Sequence, residues 1–202
     1  MILRERIAER LRDSAPSPDL ESEARALLPP GLARELFPRP LIPAAVLVPV
    51  VERETGLTLL LTRRTERLRD HPGQISFPGG RLDAGDAGPL AAALRETSEE
   101  LGIPSSLVEV AGYLPAQPVI TGFVVSPVVG FLPGHATTQP DPLEVAEVLE
   151  MPLAFFLEES NARHTWRSIG ATDLPVVEYH YRGQRVWGAT ANIIRSLIDK
   201  IR

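Results

Sequence analysis

Pro89-Leu-Ala-Ala-Ala-Leu-Arg-Glu-Thr-Ser-Glu-Glu-Leu101, followed by Gly102-Ile103-Pro104, carries the strongest helix signals in the chain. Proline stands in the first turn, where its missing N–H is no loss, alanine and leucine fill the interior, and glycine and then proline close the far end. The spacing predicts a helix over 89–101. On it Glu96, Glu99 and Glu100 fall at i, i+3 and i+4, so three carboxylates share one face. They occupy the last two turns, where the helix dipole is already negative, and like charges at this spacing repel. A solvated acidic face is the plain alternative, but it leaves that double penalty unexplained. Hard divalent cations would offset it, since magnesium takes carboxylate oxygens and shares its remaining positions between water and substrate phosphates.

Outward from this helix, Phe77-Pro-Gly-Gly80 reads as a tight backbone turn whose glycines permit approaches a side chain would forbid. Ala44 to Val51 and Leu57 to Arg63, joined by Glu52-Arg-Glu-Thr-Gly56, fit two buried strands connected by a turn. Beyond the helix come strand-like runs at 107–114 and 123–132, a short helix near 153–158, a hairpin turning at Arg182-Gly183, and a closing helix from 189 to 201. Ahead of the core, Ile2/Leu3, Ile7 and Leu11 recur at helical spacing, predicting an amphipathic helix over 2–13. Residues 20–40 hold one short helix and a surface segment punctuated by Pro29, Pro30, Pro38 and Pro40. Strands and helices are interspersed, so the class is α/β (α+β), a mixed β-sheet sandwiched between helices. Residues 1–40 form a helical extension packed on a domain spanning 41–202. The first helix packs on that domain or on a second copy, as in a homodimer.

The 202 residues suffice for one well-buried domain, and 44% apolar with 23% charged residues exclude disorder and collagen-like structure. With 21 basic against 26 acidic side chains the net charge is -5, which argues against holding nucleic acid through a general basic surface. The absence of cysteine excludes a disulfide scaffold, a thiol nucleophile and a thiolate zinc site. The apolar run Pro43 to Val51 falls far short of the roughly 20 residues that span a bilayer, so no membrane helix is expected. The charged start lacks a signal-peptide core, making the cytoplasm the default location.

The segment Gly80 … Arg95-Glu-Thr-Ser-Glu-Glu-Leu-Gly-Ile103 resembles the Nudix box, Gly-x5-Glu-x7-Arg-Glu-U-x-Glu-Glu-x-Gly-U, in which U is a bulky aliphatic residue. It departs from that pattern at Asp86, which stands in the first glutamate position, in the eight instead of seven residues between Asp86 and Arg95, and at Thr97 in the first U position. A coenzyme A-hydrolysing branch of the superfamily looks like this. Its further motif reads here Leu60-Leu-Thr-Arg63 … Arg69-Asp-His-Pro-Gly73-Gln-Ile-Ser-Phe77-Pro-Gly-Gly80. Weaker pieces follow at Ser126-Pro-Val-Val-Gly130 after Gly122, Glu144-Val-Ala-Glu147, Met151-Pro-Leu153 and Val186-Trp-Gly188 with Thr190. The resemblance covers about residues 43–198. Gly122, Pro127 and Trp187 are expected to be turn and core residues.

The resemblance implies the Nudix fold and cleavage of a pyrophosphate by metal-activated water. Glu96, Glu99 and Glu100 become ligands of Mg2+ or Mn2+, with the Gly79 carbonyl an additional ligand. Arg95 orients Glu96 through a charge-assisted pair. The general base is Glu144, then Glu147, with Glu96 as the alternative on the helix, while Asp141-Pro-Leu-Glu144 also fits an ordinary helix start. Arg63 and Arg69 of the branch motif, with Gly80 beside them, are implied to bind substrate, in a local basic excess with Arg64, Arg67 and His71. His71 is expected to form a plain hydrogen bond. The implied partner is a small molecule, coenzyme A or a related nucleotide. ADP-ribose, another nucleoside diphosphate derivative, or nucleotide binding without catalysis are the alternatives.

Overall fold

The computed structural model describes residues 2–26, 40–68, 71–169 and 172–202. Its sheet is organised around β1 (Ile42–Arg53), which runs parallel to β7 (Phe123–Pro133) along its whole length. Both strands are apolar almost without alternation, as expected of a parallel pair covered on both faces. The other edge of β1 is divided. Val50 to Arg53 pair with β2 (Gly56–Arg64) across the Glu54-Thr55 turn, whereas Ala44 to Val46 pair with β4 (Gly79–Arg81). Between the two, the N–H of Leu47 donates to the carbonyl of Pro78 at 3.0 Å. Past its pairing with β1, β2 meets β3 (Ile75–Ser76) at Thr62 and Arg63, and it also pairs from Thr58 to Arg64 with β8 (Val145–Pro152). β5 (Glu109–Tyr113) and β6 (Gln117–Val119) complete this mixed sheet on β7.

Helices cover both faces. α3 (Pro89–Leu101) lays Ala92 and Ala93 on Ala45, Leu47 and Val128. On the other face α5 (Gly188–Ile201) packs Ile193, Ile194, Leu197 and Ile198 into the main core with Val48, Leu59 and Phe131. Ile7 and Leu11 of α1 (Leu3–Leu11) are buried in that same cluster, so the apolar face of the first helix is used within the chain. α2 (Leu20–Ala26) sets Ala24 against Leu41 and Val124, and α4 (Leu153–Leu157) buries Leu153 and Phe156. A second, antiparallel sheet consists of β9 (Arg163–Ile169), β10 (Thr172–Tyr181) and β11 (Gln184–Trp187). Arg182 and Gly183, both at positive φ, make its tight hairpin turn.

Among the described residues the predicted helices and the long strands are present, with three differences. Asp141-Pro-Leu-Glu144 starts no helix; it turns into β8. β9 was not anticipated, because Arg163-His-Thr-Trp-Arg-Ser168 lacks the alternation of a half-buried strand and Trp166 is exposed. Trp187 is not in the core; the Arg167 guanidinium lies 4.3 Å from its ring centroid. Pro29, Pro30 and Pro38 lie outside the described residues.

Candidate active site

α3 is cut to length by its ends. Pro89 follows Gly88, and Gly102 at φ 65 closes the helix in a left-handed cap, its N–H donating to the Ser98 carbonyl. The stripe Ala93, Thr97 and Leu101 is buried, and rotating by one residue places Glu96 and Glu100 at its margin. Thr97 fits this buried stripe because its hydroxyl donates to the Ala93 carbonyl at 2.6 Å, leaving the methyl to pack.

The Phe77-Pro-Gly-Gly80 turn brings backbone up to both acids. Gly79 sits at φ 151, and a Cβ there would overlap the Ala45 carbonyl and come within 2.6 Å of the Val46 Cα. Its N–H donates to Oε2 of Glu100 at 3.3 Å. A Cβ on Gly80 would lie 2.5 Å from the Glu96 Cδ, so the glycine makes room for that carboxylate.

Glu100 is only 4% exposed. Burial pushes its pKa up to about 8; Arg64, whose Nη1 lies 4.0 Å from Oε1, opposes the rise, and the charges of Glu144 and Glu96 add to it. Burial likewise raises Glu96, against the pull of Arg95, with Glu99 and Glu144 reinforcing the rise. Glu144 is thus within electrostatic reach of both acids. Its loop is tied to the end of α3 by Asp141 N–H to the Glu100 carbonyl at 2.9 Å, and to β2 by Thr65, which donates from its N–H to the Glu144 carbonyl and from its hydroxyl to the Leu143 carbonyl.

Arg95 gathers the remaining charges. It donates from Nη1 to Glu96 at 2.9 Å and to Glu99 at 3.0 Å, and from Nε and Nη2 to Asp86 at 3.2 and 3.0 Å. With one more residue in the loop, the shorter Asp86 carboxylate still meets the guanidinium side-on, and this pair holds the Asp86 pKa below the usual carboxylate range. Glu99 therefore lies on Arg95. Among the described residues no three acidic or imidazole side chains converge tightly enough to share one cation. In donor chemistry, however, the site suits a hard divalent ion: carboxylate oxygens, one of them buried among like charges.

Of the basic residues expected to meet substrate, Arg63 is turned elsewhere. It donates from Nε to Glu147 at 3.0 Å, from Nη1 to the Gly73 carbonyl at 3.4 Å, and from Nη2 to Gln184. Glu147, the second base candidate, is therefore paired across the β2–β8 ladder. Arg69 lies outside the described residues. His71 makes a hydrogen bond to the Thr121 hydroxyl, Nε2 to Oγ1 at 3.3 Å. Sequence reasoning did not foresee Gln184, for which no local signal exists.

Residues 41–167 match the family model described as NUDIX domain. The protein named "Uncharacterized Nudix hydrolase NudL" of Enterobacter sp. (strain 638) is 44% identical over 175 residues, covering 87% of this chain and 90% of that one. A relative of the same name from Salmonella paratyphi B is 44% identical over 170 residues, covering 78% and 82%. A crystal structure from Deinococcus radiodurans shares the fold at a TM-score of 0.51 and 17% identity, over 80% of this chain and 87% of that one. The matched span contains the divided edge of β1, the glycine turn and the acidic helix together, and the chain belongs to the Nudix hydrolase family, enzymes that hydrolyse nucleoside diphosphate derivatives.

Proposed function

We propose that this Nudix hydrolase cleaves the pyrophosphate of coenzyme A or its derivatives, releasing 3′,5′-ADP and 4′-phosphopantetheine or its acyl form. One observation carries the reading. The segment that resembles the coenzyme A branch, residues 60–80, meets the acids at both ends: Arg64 lies 4.0 Å from Glu100 near its start, and Gly79 and Gly80 rest against Glu100 and Glu96 at its finish.

Glu96, Glu99, Glu100 and the Gly79 carbonyl are the residues that would hold magnesium or manganese, Glu99 exchanging Arg95 for the ion. When bound, such an ion supplies Lewis acidity toward the phosphate oxygens and toward water. Arg95 orients the Glu96 carboxylate through its Nη1 bond, braced by Asp86. Glu144 is the base that takes a proton from the attacking water, because it is the loop acid coupled to Glu96 and Glu100, whereas Glu147 is engaged with Arg63. The catalytic domain is 41–202, residues 1–40 are an extension on it, and the activity is cytoplasmic.

The test is product analysis after incubation with coenzyme A and magnesium or manganese, beside dephospho-coenzyme A, ADP-ribose and a Glu100→Gln control. Release of 3′,5′-ADP by the wild type and its loss in the control are expected. Cleavage of ADP-ribose with coenzyme A left whole would overturn the substrate, and no cleavage of any of them would leave a nucleotide-binding module.

A further inference from the structure

The two adjacent arginines at the end of β2, where the register with β8 shifts, leave in opposite directions. Arg64 faces Glu100. Arg63 leaves by the other face, where its guanidinium joins three elements: Glu147 on β8, the Gly73 carbonyl just before β3, and Gln184 at the start of β11. The loop leaving β2 returns to β3 beneath this fork, its neck closed by Arg64 N–H to the Gln74 carbonyl at 3.0 Å and by the Arg63–Ile75 pairing. Thr190 adds a second link from the same side, its hydroxyl donating to the Ile75 carbonyl at 3.1 Å. Ile75 lies two residues before the Phe77-Pro-Gly-Gly80 turn.

We infer that Arg63 is a positioning residue which fastens the neck of the β2–β3 loop to the small sheet, and so holds Arg64 and the glycine turn in place against the acids, without itself touching substrate. The inference rests on the proposed activity for its kinetic readout only. Lysine cannot replace the fork, because the three acceptors are bound by three different nitrogens spread across the planar guanidinium, and a single ammonium nitrogen does not reach all of them.

The experiment is a double-mutant cycle between Arg63→Gln and Gln184→Leu, read by steady-state kinetics and by amide hydrogen exchange of the substrate-free protein, with Arg63→Lys as the conservative variant. Gln184→Leu, which removes one charge-assisted bond, is expected to raise KM about tenfold, and Arg63→Gln, which removes all three, at least as much, with kcat lowered as well because the glycine turn is loosened against the acids. The double variant should be no worse than Arg63→Gln alone. Exchange at Arg64 and at residues 74–76 should quicken in both single variants, and Arg63→Lys should recover only part of the KM. If Gln184→Leu leaves KM and exchange at the wild-type level, or if the two penalties multiply, Arg63 acts on substrate directly and the inference is wrong. If the wild type ignores coenzyme A while the exchange coupling persists, the substrate reading fails and the tether stands. Should Arg63→Gln not fold, the Gln184→Leu exchange and KM decide alone.

Discussion

Gly79 and Gly80 are adjacent, yet alanine should have opposite consequences at each. At Gly79 the φ of 151 lies in a region that side chains avoid, and the added Cβ meets the Ala45 carbonyl and, at 2.6 Å, the Val46 Cα, both of them backbone atoms of the strand that β4 pairs with. Neither can retreat without opening the β1–β4 ladder, so strain and clash together should cost about 3 kcal/mol of stability. At Gly80 the obstacle is the end of a flexible side chain. The Glu96 Cδ at 2.5 Å must withdraw by roughly 1 Å to reach ordinary contact distance, which should cost under about 1 kcal/mol of stability. A catalytic group moved by about 1 Å, however, can lower turnover on the order of a hundredfold. Urea unfolding and kcat measured on both variants separate the two effects. Equal destabilisation by both substitutions, or full kcat in Gly80→Ala, would refute the assignment of Gly80 as the room made for Glu96.

Thr97→Val exchanges a hydroxyl bonded to its own helix for a methyl in the buried stripe, and urea unfolding should find stability unchanged or raised by up to about 1 kcal/mol. Gly112→Ala should undock α1: φ there is 148, and a Cβ would overlap the Leu11 carbonyl and the Ser14 hydroxyl and lie 2.9 Å from the Leu11 Cβ. Faster amide exchange over residues 3–14 at near-constant exchange in β1 is the expected readout, and unchanged exchange would count against it. Glu159 is held at about 2 by hydrogen bonds first from Arg195 and then Arg202, against an ordinary 4.5. Because the folded pKa is the lower one, the stabilisation is complete above pH 4.5 and fades as the pH falls toward 2. The Tm gap between wild type and Glu159→Gln should therefore be flat near neutrality and shrink in acid, and a gap that widened in acid would contradict the sign.

What could be read in advance was local chemistry. Pro89 and Gly102 state where α3 begins and ends because each acts on its own backbone, and the helical period then fixes which glutamates neighbour one another. β8 and β9 escaped notice for the converse reason: the burial of β8 runs irregularly along Val145–Pro152 and β9 is exposed on both faces, so neither shows the alternation that reveals a half-buried strand. Asp86 looked like a departure from its pattern. In the fold it is a compensated change, a shorter acid on a longer loop still reaching Arg95 through two bonds. The arginines show most clearly where linear reading stops. Arg63 and Arg64 are alike in type and adjacent in a basic run, and the motif resemblance assigns Arg63 to substrate while leaving Arg64 in the general basic excess. They leave β2 on opposite sides, one toward Glu100 and the other toward Glu147 and Gln184, acceptors 84 and 121 residues away in the chain. A charge beside the acids in sequence therefore has its role set by the face from which it leaves the strand. The arginine that faces the acids can meet substrate, while the one behind it can only determine where its neighbour stands.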